Sequence, residues 1–157
     1  MRSPLTLVLA LAAALVSAPA QGFVPPAFDQ FPVAPTTLSK VMAPDVSSGE
    51  ARTYRTMLRE GAKVGVNFAG HYTVVMWGCG VPCKQLALID RRTGTVYFFP
   101  VEVALGAEYR VDSALFVTDA LSMIRAQGPL GHLYETQYWV WDEGSKSFRV
   151  LGEQGRR

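Results

Sequence analysis

The stretch from Asn67 to Cys83 reads Asn-Phe-Ala-Gly-His-Tyr-Thr-Val-Val-Met-Trp-Gly-Cys-Gly-Val-Pro-Cys, and it constrains this chain more than any other. It holds one of the two histidines, both cysteines and one of the three tryptophans. Tyr72 to Trp77 is dominated by β-branched and aromatic residues, which suit a pleated, half-buried surface, so a strand is predicted there. Gly78 to Cys83 carries glycine and proline and is predicted to be a turn.

The start of the chain predicts its compartment. Arg2 supplies a positive charge, Leu5 to Val16 is an apolar run, and Ala18-Pro19-Ala20 places small residues at a cleavage site. This three-part pattern is that of a secretory signal peptide, residues 1–20, with cleavage expected after Ala20. The apolar run is shorter than the roughly 20 residues a membrane-spanning helix needs. No cysteine lies near the cleavage site. A periplasmic or secreted protein is therefore expected, with no membrane span.

The 137 residues after Ala20 suit one compact domain. Without Arg2 the formal net charge falls from +2 to +1, too little to argue for a nucleic-acid partner or an anionic membrane surface. Two cysteines in an exported chain predict one disulfide rather than a disulfide-stapled scaffold.

Residues 21–46 contain Pro25, Pro26, Pro32, Pro35 and Pro44 and are read as an extended arm. Phe23, Phe28 and Phe31 give it an apolar side with which to lie along the domain; a disordered linker is the alternative. Residues 47–157 form the single domain. Ser47 and Glu50 have the spacing of a capping box. Tyr54, Met57, Leu58 and Ala62 then recur at helical spacing, and Gly61 and Gly65 can end the helix. Arg52, Arg55 and Arg59 make a second stripe, read as a solvated face rather than a phosphate site.

Beyond Asn67 the pattern turns to strands. They are expected at Tyr72–Trp77, Gln85–Asp90, Thr95–Phe99, Ser113–Thr118, Tyr138–Trp141 and Phe148–Leu151. Arg91-Arg92-Thr93-Gly94 reads as a hairpin turn, and Asp119 as a cap for a short helix over Ala120–Gln127. Short connections pair neighbours antiparallel. The expected class is α+β: a mainly antiparallel meander of five or six strands with one N-terminal helix packed on a face. No internal repeat supports a propeller.

The run Asn67-Phe68-Ala69-Gly70-His71-Tyr72, then Trp77-Gly78-Cys79-Gly80 with Cys83, then Leu88-Ile89-Asp90 and Thr93-Gly94, resembles a group of uncharacterised small secreted proteins of Gram-negative bacteria. The likeness extends loosely through Tyr109–Ser113 and Tyr138–Trp141, about two-thirds of the chain. It implies export and a single domain. It implies no reaction, cofactor or ligand.

Cys79 and Cys83 are spaced Cys-x-x-x-Cys, unlike the Cys-x-x-Cys of thioredoxin-like sites. A disulfide is the default in an oxidising compartment. A zinc site would need two further ligands, and His71 and His132 do not complete a familiar spacing. A nucleophilic cysteine with His71 as base is the sharper alternative. His71 beside aromatics is read first as a packing residue and second as a proton-transfer group. No Gly-x-Ser-x-Gly elbow is present, and Glu102, Glu108, Asp112 and Asp119 are dispersed.

No catalytic constellation and no cofactor motif emerge. The expected function is that of an exported, non-enzymatic binding or accessory module, of the inhibitor or immunity type, that meets an envelope protein. Its candidate binding residues are His71, Trp77, Gly78 and Gly80, beside the Cys79–Cys83 bridge. The alternative is a small hydrolase or thiol enzyme using His71 with Cys79 or Cys83.

Overall fold

A computed structural model describes residues 23–152 of the chain. The segment expected to be a signal peptide lies outside them, as do residues 21–22 and 153–157.

The strands form two antiparallel sheets rather than one meander, which corrects the expected architecture. The first sheet has the order β1 (Tyr72–Gly80), β2 (Cys83–Asp90), β3 (Val96–Phe98). The second runs β4 (Ala107–Tyr109), β5 (Leu115–Thr118), β6 (Gln137–Asp142), β7 (Ser147–Val150). Hairpin pairing of neighbours holds within each sheet and fails between them. Pro100 cannot donate to a ladder, so β3 stops there, although Val103 still exchanges both main-chain bonds with Lys84 of β2 at 2.7 and 3.0 Å. The chain crosses to the second sheet over residues 104–106. Asp119, at φ +47°, holds that crossing: its carboxylate accepts the amide N–H groups of Ala104, Leu105 and Gly106 at 3.2, 2.6 and 3.2 Å. It therefore does not cap α3 (Leu121–Ala126), whose N-cap is Ala120.

The apolar residues on both faces of β1 and β2 are explained by three layers. One face of the first sheet (Tyr72, Val74, Leu86, Leu88) packs against the second sheet (Phe116, Trp139, Trp141), with Phe68 and Phe99 between. The opposite face (Val75, Trp77, Ala87, Ile89) packs on helix residues Leu58 and Ala62. The outer face of the second sheet (Leu115, Val117, Tyr138) takes Phe28 and Phe31 from the N-terminal arm and Met123 from α3.

The expected single helix is two short ones, α1 (Gly49–Thr53) and α2 (Arg55–Gly61), broken at Tyr54. The capping box does not form: Ser48 is the N-cap of α1, without a side-chain bond, and Ser47 turns back to Asp45. At the break Tyr54 packs on Trp77, ring centroids 4.9 Å apart and planes tilted by 40°, and beside Phe98. Gly61 must be glycine for packing, because an added Cβ would lie 2.2 Å from Val75 Cγ1.

The arm crosses both sheets. Its amides donate from Val33 to Asp112, Thr36 to Gly70, Met42 to Arg91 and Asp45 to Gly94. The buried Ser113 hydroxyl donates to the carbonyls of Phe28 and Phe31. At the Arg91–Gly94 turn, Gly94 has φ +86° and the Ala43 carbonyl would be 2.5 Å from an added Cβ. The turn glycine thus serves the turn and the arm together. Among the described residues, no helix is long and apolar enough to cross a membrane.

Candidate functional site

Strand β1 separates the expected binding residues into two places. His71 precedes its first residue and is only 6% exposed. Gly78, Cys79 and Gly80 are exposed at its far end. At the strand rise, residues 71 and 79 stand about 26 Å apart. Trp77 lies below the exposed tip, buried against Tyr54 and Phe98, and its indole N–H donates to Gln85 Oε1 at 3.0 Å.

At the tip, Cys79 and Cys83 form the disulfide, with Cα atoms 5.1 Å apart. Residues 78 to 82 are all exposed, and Val81 is fully so. Glu102 lies within 4.8 Å of both sulfurs, yet the bridge leaves no thiolate for a metal or for nucleophilic attack. Closing so small a ring is worth about 2 kcal/mol in the chain-entropy model. Replacing both cysteines by serine should therefore lower the unfolding free energy by about 2 kcal/mol and leave the far-ultraviolet spectrum unchanged. Two freely reactive thiols in the native oxidised protein would contradict the bridge.

Along the outer edge of β1 lies a groove of about 340 Å³. Its walls include Met57, Gly61 and Val64 on the helical side and Tyr109 of β4 on the other. β1 pairs only with β2, so this edge is open to the extent that nothing else covers it. Near its start it is covered. The Tyr72 amide donates to Phe68, the Tyr72 carbonyl accepts from Asn67 and Phe68, and the Val74 amide donates to Asn67 Oδ1 at 2.8 Å. By the period of two, the main-chain groups of Met76 and Gly78 point the same way. Among the described residues nothing bonds to them. Met57, Val64 and Met76 are exposed there.

At the other end, His71 belongs to a cluster that joins the sheets. Asp90 ends β2, and its carboxylate accepts the Arg92 amide at 2.9 Å and the Arg92 guanidinium at 3.3 Å. Glu143, from the turn between β6 and β7, accepts the Tyr72 hydroxyl at 2.6 Å, the Trp141 indole N–H at 3.1 Å and Arg92 at 2.7 Å. Lys146 also donates to Glu143, and to the Tyr72 hydroxyl oxygen at 2.9 Å. His71 Nε2 is buried without a hydrogen-bond partner among the described residues. It stands 3.8 Å from Asp90 Oδ1 and 3.7 Å from Glu143 Oε1.

The electrostatics follow the geometry. Burial, aided by the Arg92 charge, holds His71 below the usual imidazole range, against the pull of the two carboxylates. Burial would raise Asp90, but its bonds to Arg92 keep it below its ordinary value. Burial would raise Glu143 too, and donors from Lys146, Tyr72, Trp141 and Arg92 bring it down to about 2. Burial and the bond to Glu143 push the Tyr72 hydroxyl up. Neither carboxylate is at hydrogen-bond distance from Nε2.

Asp90, Arg92, Glu143 and Lys146 were not legible as site residues. The only sequence signal was a charged turn, Asp142–Lys146, which reads as an ordinary connector. Comparison with family models, with curated proteins and with solved structures finds no match. The fold and these sites define a helix-backed, two-sheet α+β protein with one crosslinked hairpin and one partly open strand edge.

Proposed function

We propose that this is an exported, non-enzymatic binding module that captures an extended segment of an envelope protein along the outer edge of β1. The observation that carries the reading is the uncapped main chain at Met76 and Gly78, beside an apolar groove. An open edge offers a row of donors and acceptors that a peptide strand can complete, and the neighbouring apolar wall can take its alternate side chains. The crosslinked tip, Gly78 to Cys83, continues the same edge and needs little further ordering on contact. Trp77 supports this surface from beneath, and His71 stands apart from it.

Met76→Pro tests the reading. It removes an N–H that faces away from β2, so the β1–β2 ladder keeps its bonds. Met76→Ala keeps that N–H and trims only the side chain. Immobilised mature protein should capture a partner from an envelope extract, and Met76→Pro should weaken capture at least tenfold more than Met76→Ala does. Equal capture by both variants, or none by the parent protein, would sink the reading.

A further inference from the structure

We propose that the His71 cluster is a pH-sensitive latch: protonation of His71 releases the β6–β7 turn from the first sheet. This inference does not rest on the binding reading above.

The cluster is an interface. His71, Tyr72, Asp90 and Arg92 come from β1, β2 and the turn that follows β2, whereas Glu143 and Lys146 come from the β6–β7 turn. Glu143 bonds to Tyr72, 71 residues away in sequence, and so ties one sheet to the other. The turn is the part able to move, because Glu143 and Lys146 are partly exposed while His71 and Asp90 are buried.

Every charged group facing His71 enters the balance. Asp90 and Glu143 favour an imidazolium, Arg92 and Lys146 oppose it, and the Tyr72 hydroxyl stays neutral. Both carboxylates are already engaged, Asp90 by Arg92 and Glu143 by Arg92 and Lys146. A proton on Nε2 would therefore sit in a buried place where its counter-charges are largely spent. Moving the turn outward hydrates the ring and restores its ordinary affinity for a proton. By linkage, acid favours the state that binds the proton better, which is the open one.

The sign is definite. The closed latch holds His71 below its free value near pH 6.5. Well above pH 6.5 both states are neutral and the latch is at full strength. As pH falls below about 6.5 the open state takes up its proton first, and closure weakens until the closed state protonates too. The carboxylates of the cluster add their own loss only at lower pH, because they are held below ordinary values.

Hydrogen exchange at the Trp141 indole N–H, which donates to Glu143 Oε2, reads the latch once corrected for the intrinsic rate. Its protection should fall severalfold, by at most about eightfold, between pH 7 and 5.5, while the β5 amides stay unchanged. In His71→Gln that dependence should vanish. If that variant does not fold, proton NMR titration of the parent ring decides, with His132→Gln identifying the second histidine. Indole protection independent of pH, a dependence surviving in His71→Gln, or a His71 ring titrating at or above pH 6.5 would each overturn the latch.

Discussion

Phe116→Ala should lower the unfolding free energy by about 3–5 kcal/mol, the largest single effect expected in this protein. The side chain is fully buried between the sheets. Its ring centroid lies 5.4 Å from Phe68, 5.2 Å from Phe99, 5.4 Å from Tyr109 and 5.2 Å from Phe148. The strand that carries it is paired on both sides, Phe116 standing opposite Tyr109 of β4 and Trp139 of β6. That pairing prevents the backbone from moving inward to fill the space a phenyl ring leaves. The cavity term therefore adds to the lost transfer term instead of relaxing away. Urea unfolding should show the midpoint falling with an unchanged slope. A loss below about 1 kcal/mol would mean that the two sheets do not close on this ring.

Leu58→Ala should cost about 2–5 kcal/mol, from a different core. Leu58 is fully buried and packs with Ala62, Val75, Trp77, Ala87 and Ile89 on the far face of the first sheet. α2 cannot sink to fill the gap, because Gly61 already brings its backbone against the Val75 side chain. The first sheet separates the two cores, so the Phe116 and Leu58 losses should add in the double variant within about 0.5 kcal/mol. A markedly smaller sum would show that helix and second sheet share one packing unit through β1 and β2.

The strands were legible because side-chain type and the period of two report directly on a half-buried ladder. Residues 72–77, 85–90, 138–141 and 148–151 were expected in strands and lie in β1, β2, β6 and β7 apart from a frayed end. What was not legible is how strands are shared between sheets. β4 has three residues with Glu108 at its centre, too short to show a period, and its place depends on Asp119 bonding 13 to 15 residues back. The break in the helix was hidden for a similar reason: Tyr54 fits a helical stripe, and its packing on Trp77 and Phe98 is tertiary. The disulfide tip was legible because a short Cys–Cys spacing is local. The His71 cluster was not, because its members meet only after two sheets have packed.

The N-terminal arm has a consequence for the order of events during synthesis. It is made before the rest of the domain, yet its amides must find carbonyls at Gly70, Arg91, Gly94 and Asp112. Those acceptors take their places only after the turn beyond β2, and the strand beyond β4, have been made. Closing such loops early would cost chain entropy with no partner yet in place. The arm thus docks only after elements made later than itself. A nascent chain halted before Asp112 would hold its arm by fewer bonds than the finished protein, and a protease should cut that arm far faster.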